Sequence, residues 1–595
     1  MKKLIFLLTF AGALLASTSL WAQVEVCDNG IDDDFDGFID CYDNDCANHA
    51  WCEGFYMGND VLCEAVPSAF PKFTMTLDFS SPDETTNHIG RMSIGDLDQD
   101  GIPEIVTMNR YTKWLYILNG NDGSIKESKS VNFEPLWEIA LGNLDNDDCA
   151  ELFFQGIEGS SLYLYAYDCD LNQIWRTLIR TRNSRLGEAL DAIEYGLADF
   201  DGDGKVELYL KDMVLDAHTG TIIINTASTD DASWNKINGG PVAVDIMGDD
   251  RLELVSGCTI YDINLGTRTA NSGTRTLLKS LPEYEVKGAY NATSIADYNL
   301  DGYLDILASG GEDIGGRLYT TIFFWDVQND VVTTYSDPIP GNVTVNAPCN
   351  GSVGEYYKYG WTNGTGRLNV ADLDGDGLMN VSYVSGKYLY ALDQNLQLLW
   401  RITINEETSG YTGCTLFDFN GDGSSEIVYR DERYLYIING TDGSIFSQQA
   451  CISRTQREYP IVADVDGDGS TELCVTCGYD DQESADNFCN LSYSRYSHVR
   501  VFKSAAEPWV PARRVWNQHG YFNVNVNDDL TIPRKQQKHH LVWSVGNCTT
   551  GPNRPLNNFL NQSPFLNSQG CPTYAAPNIA YVDNSLTVVP PTCPQ

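Results

Sequence analysis

Positive charge and histidine are scarce in this chain. Its 595 residues include 38 Lys or Arg against 82 Asp or Glu, so the formal net charge is −44. A chain this acidic has no general affinity for phosphate backbones, which excludes nucleic acid as a partner. The seven histidines show no metal-binding spacing except the adjacent pair His539 and His540, and HExxH, GxSxG and phosphate-binding glycine motifs are absent. These absences favour a protein that is not an enzyme, without deciding the question.

Long apolar runs are absent beyond the amino terminus. An apolar run from Leu4 to Ala16 follows two lysines, which is the pattern of a secretory signal peptide over residues 1–22. No later stretch reaches the roughly 18 apolar residues that a membrane span needs. The 17 cysteines of an exported chain predict disulfide bonds. At Cys474 and Cys477 we expect a disulfide or buried thiols, not redox chemistry or a zinc site. The sequence therefore predicts a secreted or outer-surface protein without a transmembrane segment.

One short loop recurs through the chain, and its clearest copy is Asp464–Glu472 in VADVDGDGSTELCV. Carboxylates stand at positions one, three and five, a glycine at six and a carboxylate at nine. Hard oxygen ligands at this spacing are typical of a Ca²⁺ cage, and Gly469 permits the tight curl because it tolerates positive φ. The apolar flanks predict strands, in contrast to the helices of an EF-hand. The loop is therefore a predicted calcium site between two strands.

Seven further copies place the loop at a regular interval. Their starts are 46 to 75 residues apart, and a period near 40 to 50 residues with several short strands is typical of propeller blades. The copies are Asp96–Glu104, Asn143–Glu151, Asp199–Glu207, Asp245–Glu253, Asp297–Asp305, Asp372–Asn380 and Asp418–Glu426. Between loops, turn pairs such as those in WLYILNGNDGSIKES and YLYIINGTDGSIFSQ predict a second hairpin in each blade.

The loops differ in how well they suit Ca²⁺. The Asn143 loop has Asp148 where glycine is expected, and the Asp372 loop ends in Asn380, so both are predicted to bind weakly. The Asp245 loop has Met247 at position three, and a thioether is a poor calcium ligand, so this loop is expected to lack metal. The predicted ligands are Asp96, Asp98, Asp100, Glu104, Asn143, Asp145, Asp147, Glu151, Asp199, Asp201, Asp203, Glu207, Asp297, Asn299, Asp301, Asp305, Asp372, Asp374, Asp376, Asn380, Asp418, Asn420, Asp422, Glu426, Asp464, Asp466, Asp468 and Glu472.

A separate Asp- and Cys-rich stretch, CDNGIDDDFDGFIDCYDNDC, follows the signal peptide. It repeats the ligand spacing at Asp32, Asp34, Asp36 and Asp40 without strand-like flanks, so metal and disulfides would replace a core. The alternative is a solvated acidic linker. The stretch resembles the thrombospondin type 3 calcium repeat.

The eight loops together resemble the FG-GAP/VCBS repeats, best known from the β-propeller head of integrin α subunits. The resemblance covers roughly residues 71 to 505 and implies an all-β propeller of eight or seven blades with calcium-binding loops. It implies little about function, because propellers host many activities. The predicted organisation is signal peptide 1–22, Asp/Cys-rich module 23–66, propeller 67–505, cap segment 506–550, and linker or further module 551–595.

Two further segments are candidate ligand-binding sites. The insertion before the Asp372 loop contains Tyr356, Tyr357, Tyr359 and Trp361, which could stack on sugar rings or pack on the propeller. The segment after the last blade contributes Arg513, Trp516 and His519, either as a ligand site or as part of a cap. It resembles a stretch found beside such repeats in surface proteins of gliding-type bacteria, many of which are cargo of type IX secretion.

The sequence thus predicts a secreted propeller, with several mainly structural Ca²⁺ ions, that acts by adhesion to glycans or surface proteins. One alternative is a calcium-dependent polysaccharide lyase of the rhamnogalacturonan lyase type, for which the sequence assigns no catalytic base. Another is a structural component of a surface layer. The three hypotheses differ in glycan binding, in product formation and in self-association.

Overall fold

The computed structural model describes residues 73–566, with interruptions of which the longest are 182–192, 227–239, 282–291, 341–364, 485–496 and 543–553. Val26, Cys27 and Cys46 are described as well. The predicted signal peptide, the ligands Asp32, Asp34, Asp36 and Asp40, the aromatic residues Tyr356, Tyr357, Tyr359 and Trp361, and residues 567–595 lie outside the described residues. Among those described, no helix is long and apolar enough to cross a membrane.

The described chain is an all-β propeller of eight blades, each a four-stranded antiparallel sheet. The first strand is β1 (Met75–Ser80). The strands of blades 1 to 4 are β2 (Ser93–Gly95), β3 (Glu104–Asn109), β4 (Trp114–Asn119), β5 (Ile125–Ser130); β6 (Glu134–Gly142), β7 (Glu151–Glu158), β8 (Ser161–Tyr167), β9 (Gln173–Thr181); β10 (Tyr195–Ala198), β11 (Glu207–Leu210), β12 (Met213–Asp216), β13 (Ile222–Asn225); β14 (Val242–Val244), β15 (Glu253–Ser256), β16 (Thr259–Asn264), β17 (Thr274–Ser280).

Blades 5 to 8 continue the pattern and complete the ring. Their strands are β18 (Thr293–Ala296), β19 (Asp305–Ile314), β20 (Arg317–Asp326), β21 (Val331–Pro340); β22 (Asn369–Ala371), β23 (Asn380–Ser385), β24 (Tyr388–Leu392), β25 (Leu398–Thr403); β26 (Cys414–Phe417), β27 (Glu426–Arg430), β28 (Tyr434–Ile438), β29 (Ile445–Ala450); β30 (Ile461–Ala463), β31 (Glu472–Cys477), β32 (His498–Ser504). The eight-blade prediction is confirmed.

Blade 8 is closed by strands from both ends of the propeller. Its order is β30, β31, β32 and then β1, which pairs antiparallel with β32 from Met75 opposite Ser504 to Ser80 opposite Arg500. Because the first strand of the propeller lies in the same sheet as the last, opening the ring would break a complete hydrogen-bond ladder. Such an arrangement leaves the ring without an unpaired junction.

Burial follows the position of each strand in its blade. The first strands, such as β2 and β10, and the second strands, such as β3 and β11, are buried along their length. The fourth strands are largely exposed, as in β5. The first strands are therefore innermost, and the apolar side chains of the first three strands pack between blades. The predicted hairpins are confirmed: β4 pairs with β5, and β28 with β29.

Disulfide bonds occur as the sequence predicts. Cys27 is bonded to Cys46, Cys149 to Cys169, and Cys451 to Cys477. Cys474 is a buried free thiol, so the two cysteines of the Cys474-to-Cys477 spacing are not bonded to each other. The Cys451 bond joins the end of blade 7 to β31 of blade 8 and strengthens the ring near its closure.

Candidate metal loops and a central pocket

Each nine-residue loop joins the first strand of its blade to the second. In the Asp464–Glu472 loop, one oxygen of Asp464 accepts the N–H of Gly469 at 3.1 Å. One oxygen of Glu472 accepts the N–H of Val465 at 3.0 Å. Gly469 has a φ of 83°, the left-handed conformation that the spacing predicts. The loop therefore folds back on itself and brings positions one, three and nine together.

Carboxylate oxygens converge in four of the loops. In each, three acidic groups place one oxygen within 4.8 Å of the others: Asp96, Asp98 and Glu104; Asp199, Asp201 and Asp203; Asp372, Asp374 and Asp376; Asp464, Asp466 and Glu472. The loops starting at Asp297 and Asp418 have Asn299 and Asn420 at position three, which offer an amide oxygen instead. All these donors are the hard oxygens that Ca²⁺ prefers.

The closing carboxylates are buried, which makes their charge costly without a cation. Burial is the main cause that raises the pKa of Glu104 and Glu151 to about 7, of Glu207 to about 8 and of Asp305 to about 9. Oδ1 of Asp305 is buried and without a hydrogen-bond partner, and Oε1 of Glu472 is in the same condition. An oxygen-seeking cation satisfies such atoms, so the donor set fits Ca²⁺.

Positively charged side chains contact several loops. Lys126 Nζ lies 2.6 Å from Asp98 and 2.7 Å from Glu104. The loops at Asp199, Asp245, Asp297 and Asp464 are contacted by Arg268, Lys538, Arg554 and Arg514, respectively. Three of these cations come from the segment after the last blade. The carboxylates of these loops attract positive charge, and lysine and arginine side chains of the protein supply part of it.

The Asp245 loop departs from the others, as its sequence predicts. Met247 at position three is exposed, and Asp250 at position six has a φ of 65°, a conformation that costs a residue other than glycine. Arg251 donates to Asp249 at 3.2 Å, so a side chain of the loop itself neutralises one of its carboxylates. The Asp245 loop therefore has the same turn as the other loops but fewer oxygen ligands.

The segment after the last blade fills the centre of the propeller. This C-terminal segment, residues 508–542 and 554–566, makes hydrogen bonds at or just after the innermost strand of every blade. The pairs, for blades 1 to 8, are Trp516 with Ile94, Asn517 with Leu141, Gln518 with Leu197, Gln536 with Ala243, Asn557 with Asp297, Phe559 with Val370, Asn561 with Leu416, and Gln562 with Val462. It thereby satisfies backbone groups that face the channel.

The three candidate ligand residues of this segment have different surroundings. Arg513 is buried and donates to Asp528 at 2.7 Å and to the carbonyl of Val526 at 2.8 Å, so it holds the segment's own fold. Trp516 is fully buried. His519 is half-buried and lines a pocket on the channel axis.

That pocket lies at the end of the channel opposite the metal loops. Its wall includes Arg91, Glu194, Thr293, Arg367 and Gly413, each of which precedes or begins an innermost strand, whereas the metal loops follow those strands. Residues His519, Gly520, Phe559 and Leu560 of the C-terminal segment form the rest of the wall. The pocket has a volume of about 60 Å³. We call the two ends of the channel the loop end and the pocket end.

Charged side chains of both signs meet at the pocket end. Arg91 forms an ion pair with Glu138 and lies 3.7 Å from Glu194. His519 Nε2 lies 3.3 Å from Glu194. Arg367 is buried, and burial lowers its pKa to about 10, so it stays cationic at neutral pH. Sequence reasoning predicted only His519 here, because the other charged groups come from separate blades and share no motif. Their one common signal is a charged residue shortly before the innermost strand.

No family model and no curated protein matches this chain. Among solved structures, the biofilm matrix protein Bap1 of V. cholerae is similar, with a TM-score of 0.56 and 16% identity over 83% of this chain and 100% of that chain. A rhamnogalacturonan lyase, YesW, covers 85% of this chain and 98% of its own at 12% identity, but its TM-score of 0.28 is too low to support an argument. The similarity to Bap1 agrees with the propeller fold. The resemblance to FG-GAP/VCBS repeats rests on the loops alone.

Proposed function

We propose that this protein is an exported propeller, stabilised by Ca²⁺ in most of its loops, that acts by binding glycans or surface proteins. The observation that carries the proposal is the opposition of the two ends. Acidic loops and a filled channel make the loop end a structural base. The pocket end presents a small pocket on the axis, with charged side chains in its wall. The disulfides and the shared fold with a biofilm matrix protein support an extracellular role.

Calcium in this proposal is structural. Each cage joins the first two strands of one blade, and the closing carboxylate at position nine begins the second strand. A bound ion would offset the repulsion among buried carboxylates and hold the hairpin in register. The residues of each loop with a full ligand set would bind the ion and orient the hairpin.

The test is a screen of the full exported chain on neutral and acidic glycans in the presence of Ca²⁺, followed by titration of the best binder. Saturable binding that does not consume the glycan supports the proposal. Absence of binding to every glycan, combined with self-association in Ca²⁺, would support a structural surface-layer role instead.

A polysaccharide lyase is the second candidate, and one observation favours it. The pocket holds an imidazole, that of His519, beside Glu194 and close to two arginines, and a lyase needs a base near groups that neutralise an acidic sugar. Incubation of the protein with acidic polysaccharides would release unsaturated products that absorb in the ultraviolet. Growth of that absorbance, lost in His519→Ala, would replace the binding role with catalysis.

A further inference from the structure

The pocket end contains one buried cation that forms no ion pair in the described part of the chain. Arg367 is 6% exposed. Its Nη2 donates to the carbonyl of His519 at 2.9 Å, while Nε and Nη1 have no hydrogen-bond partner. Three N–H groups of a charged, buried side chain are therefore unsatisfied at the wall of a pocket. A buried charge without an ion pair is destabilising unless something pairs with it.

The neighbours of Arg367 hold it firmly in this position. Its guanidinium carbon lies 3.8 Å from the ring centre of Tyr459 and 5.4 Å from that of Trp516. A Cβ atom at Gly413 would come within 2.9 Å of Cδ of Arg367, so glycine is needed there for the side chain to pass. Because the guanidinium is fixed in advance, a ligand would lose little free energy in ordering it.

The other charged groups of the pocket lie together around Arg91. The carboxylates of Glu138 and Glu194 and the imidazole of His519 lie close enough to hold a metal ion. Arg91 already pairs with Glu138 and approaches Glu194, so a cation of the chain takes the part of that ion. With Arg91 placed between these two carboxylates, Arg367 is the cation of the pocket that forms no ion pair with a described residue, although Glu194 attracts it from a longer distance.

We propose that the pocket binds the carboxylate of an acidic saccharide, with Arg367 as the residue that recognises its charge. This inference rests on the proposed glycan-binding function and names the chemical class of the ligand. A carboxylate supplies the acceptors that the free N–H groups lack, and hydrogen bonds between two charged groups are about twice as strong as neutral ones. Arg367 is also the source of selectivity, because a neutral sugar would leave its charge unpaired.

The volume of the pocket and the net charge of the protein restrict the chemical class of the ligand further. A volume of about 60 Å³ admits a carboxylate and its adjoining ring atoms, while the rest of the sugar lies outside on the pocket face. Gly240, Gly366 and Gly520 line the pocket and carry no side chains that would exclude a sugar ring. The net charge of −44 repels a polyanion at long range. The ligand class is therefore a saccharide with an isolated, terminal uronic acid.

The experiment compares D-galacturonic acid with its methyl ester and with D-galactose by calorimetric titration into the full exported chain in saturating Ca²⁺. The three probes share a sugar ring, and only the acid carries a charge. We expect the acid to bind at least about tenfold more tightly than either neutral probe. Equal binding of the acid and the ester would overturn the inference, whatever the variants do.

Two arginine variants locate the effect. Arg367→Gln should reduce the preference for the acid to within about twofold, while Arg367→Lys, which keeps the charge, should retain part of it. The matched control is Arg275→Gln, since Arg275 also stacks on a tyrosine, 4.2 Å from the ring centre of Tyr261, but lies outside the pocket. This control should keep the full preference. Thermal melts check that each variant is folded.

The outcomes separate the two proposals. Retention of the acid preference in Arg367→Gln, or its loss in wild type when Ca²⁺ is removed from a protein that stays folded, would assign recognition to metal and overturn this inference. Binding of neutral glycans with no acid preference would also overturn it and leave the proposed function standing. Failure of every glycan on the screen would overturn this inference together with the glycan-binding part of the proposed function.

Discussion

The two ends of the channel solve the same electrostatic problem in different ways. At the loop end, acidic groups outnumber the cations of the chain, and the buried carboxylates of Glu104 and Asp305 have raised pKa values. At the pocket end, Arg91 lies beside Glu138 and Glu194, and Arg367 is buried without an ion pair among the described residues. The same innermost strands connect the two ends. In the calcium proposal, part of the positive charge at the loop end comes from solution, whereas at the pocket end the chain itself supplies it.

Removing Ca²⁺ should have the largest effect, and it should act on the loop end. Several cages contribute, and a site held at a thousand times its dissociation constant stabilises by about 4 kcal/mol. We therefore expect EDTA to lower the melting temperature by roughly 10 °C or more. The measurement is a thermal melt followed by circular dichroism, with excess Ca²⁺ restored as the control. An unchanged melting temperature would contradict the calcium assignment.

The fold was predictable because the repeated loop marks each blade. Eight copies of one spacing predicted the first hairpin of each blade, and turn pairs such as those between Tyr434–Ile438 and Ile445–Ala450 predicted the second. The filled channel could not be predicted, because its contacts join Trp516 to Ile94 and Phe559 to Val370 across hundreds of residues. Hydrogen bonds of that kind depend on the closed ring and leave no local pattern. Arg367 was missed for the same reason.

Trp516→Ala should have the next largest effect, because this side chain lies in the segment that fills the channel and also contacts Arg367. It is fully buried, stacks on Tyr521 with ring centres 4.6 Å apart, and lies beneath Arg367. Removing a buried tryptophan costs about 3–5 kcal/mol. We expect a lower denaturation midpoint in urea, both with and without Ca²⁺. Trp114→Ala, at the exposed first position of β4, is the control and should shift the midpoint little. Equal shifts in the two variants would show that packing of the C-terminal segment in the channel does not add to the stability of the protein.

Arg91→Gln tests whether the pocket end is independent of metal. The substitution leaves Glu138 and Glu194 buried near each other without their cation, at a cost of about 3 kcal/mol. Because the site is distant from the cages, the loss should be the same in Ca²⁺ and in EDTA. Arg110→Gln, whose partner Glu134 is more exposed, should cost well under 1 kcal/mol. A loss from Arg91→Gln that appears only in Ca²⁺ would show that the two ends are coupled.

The smallest effect compares two loops at one matched position. Asp468 and Asp249 both occupy position five, in the Asp464 and Asp245 loops respectively. Asp468→Ala should remove one equivalent of bound Ca²⁺, measured by elemental analysis after dialysis, and lower the melting temperature by a few degrees. Asp249→Ala should leave the calcium content unchanged, since Met247 offers a poor ligand and Arg251 already pairs with Asp249, so we expect no ion in that loop. Loss of calcium from the second variant would show that backbone geometry alone suffices to bind the ion. Loss of all calcium from the first would show that the cages act together around the ring, not one blade at a time.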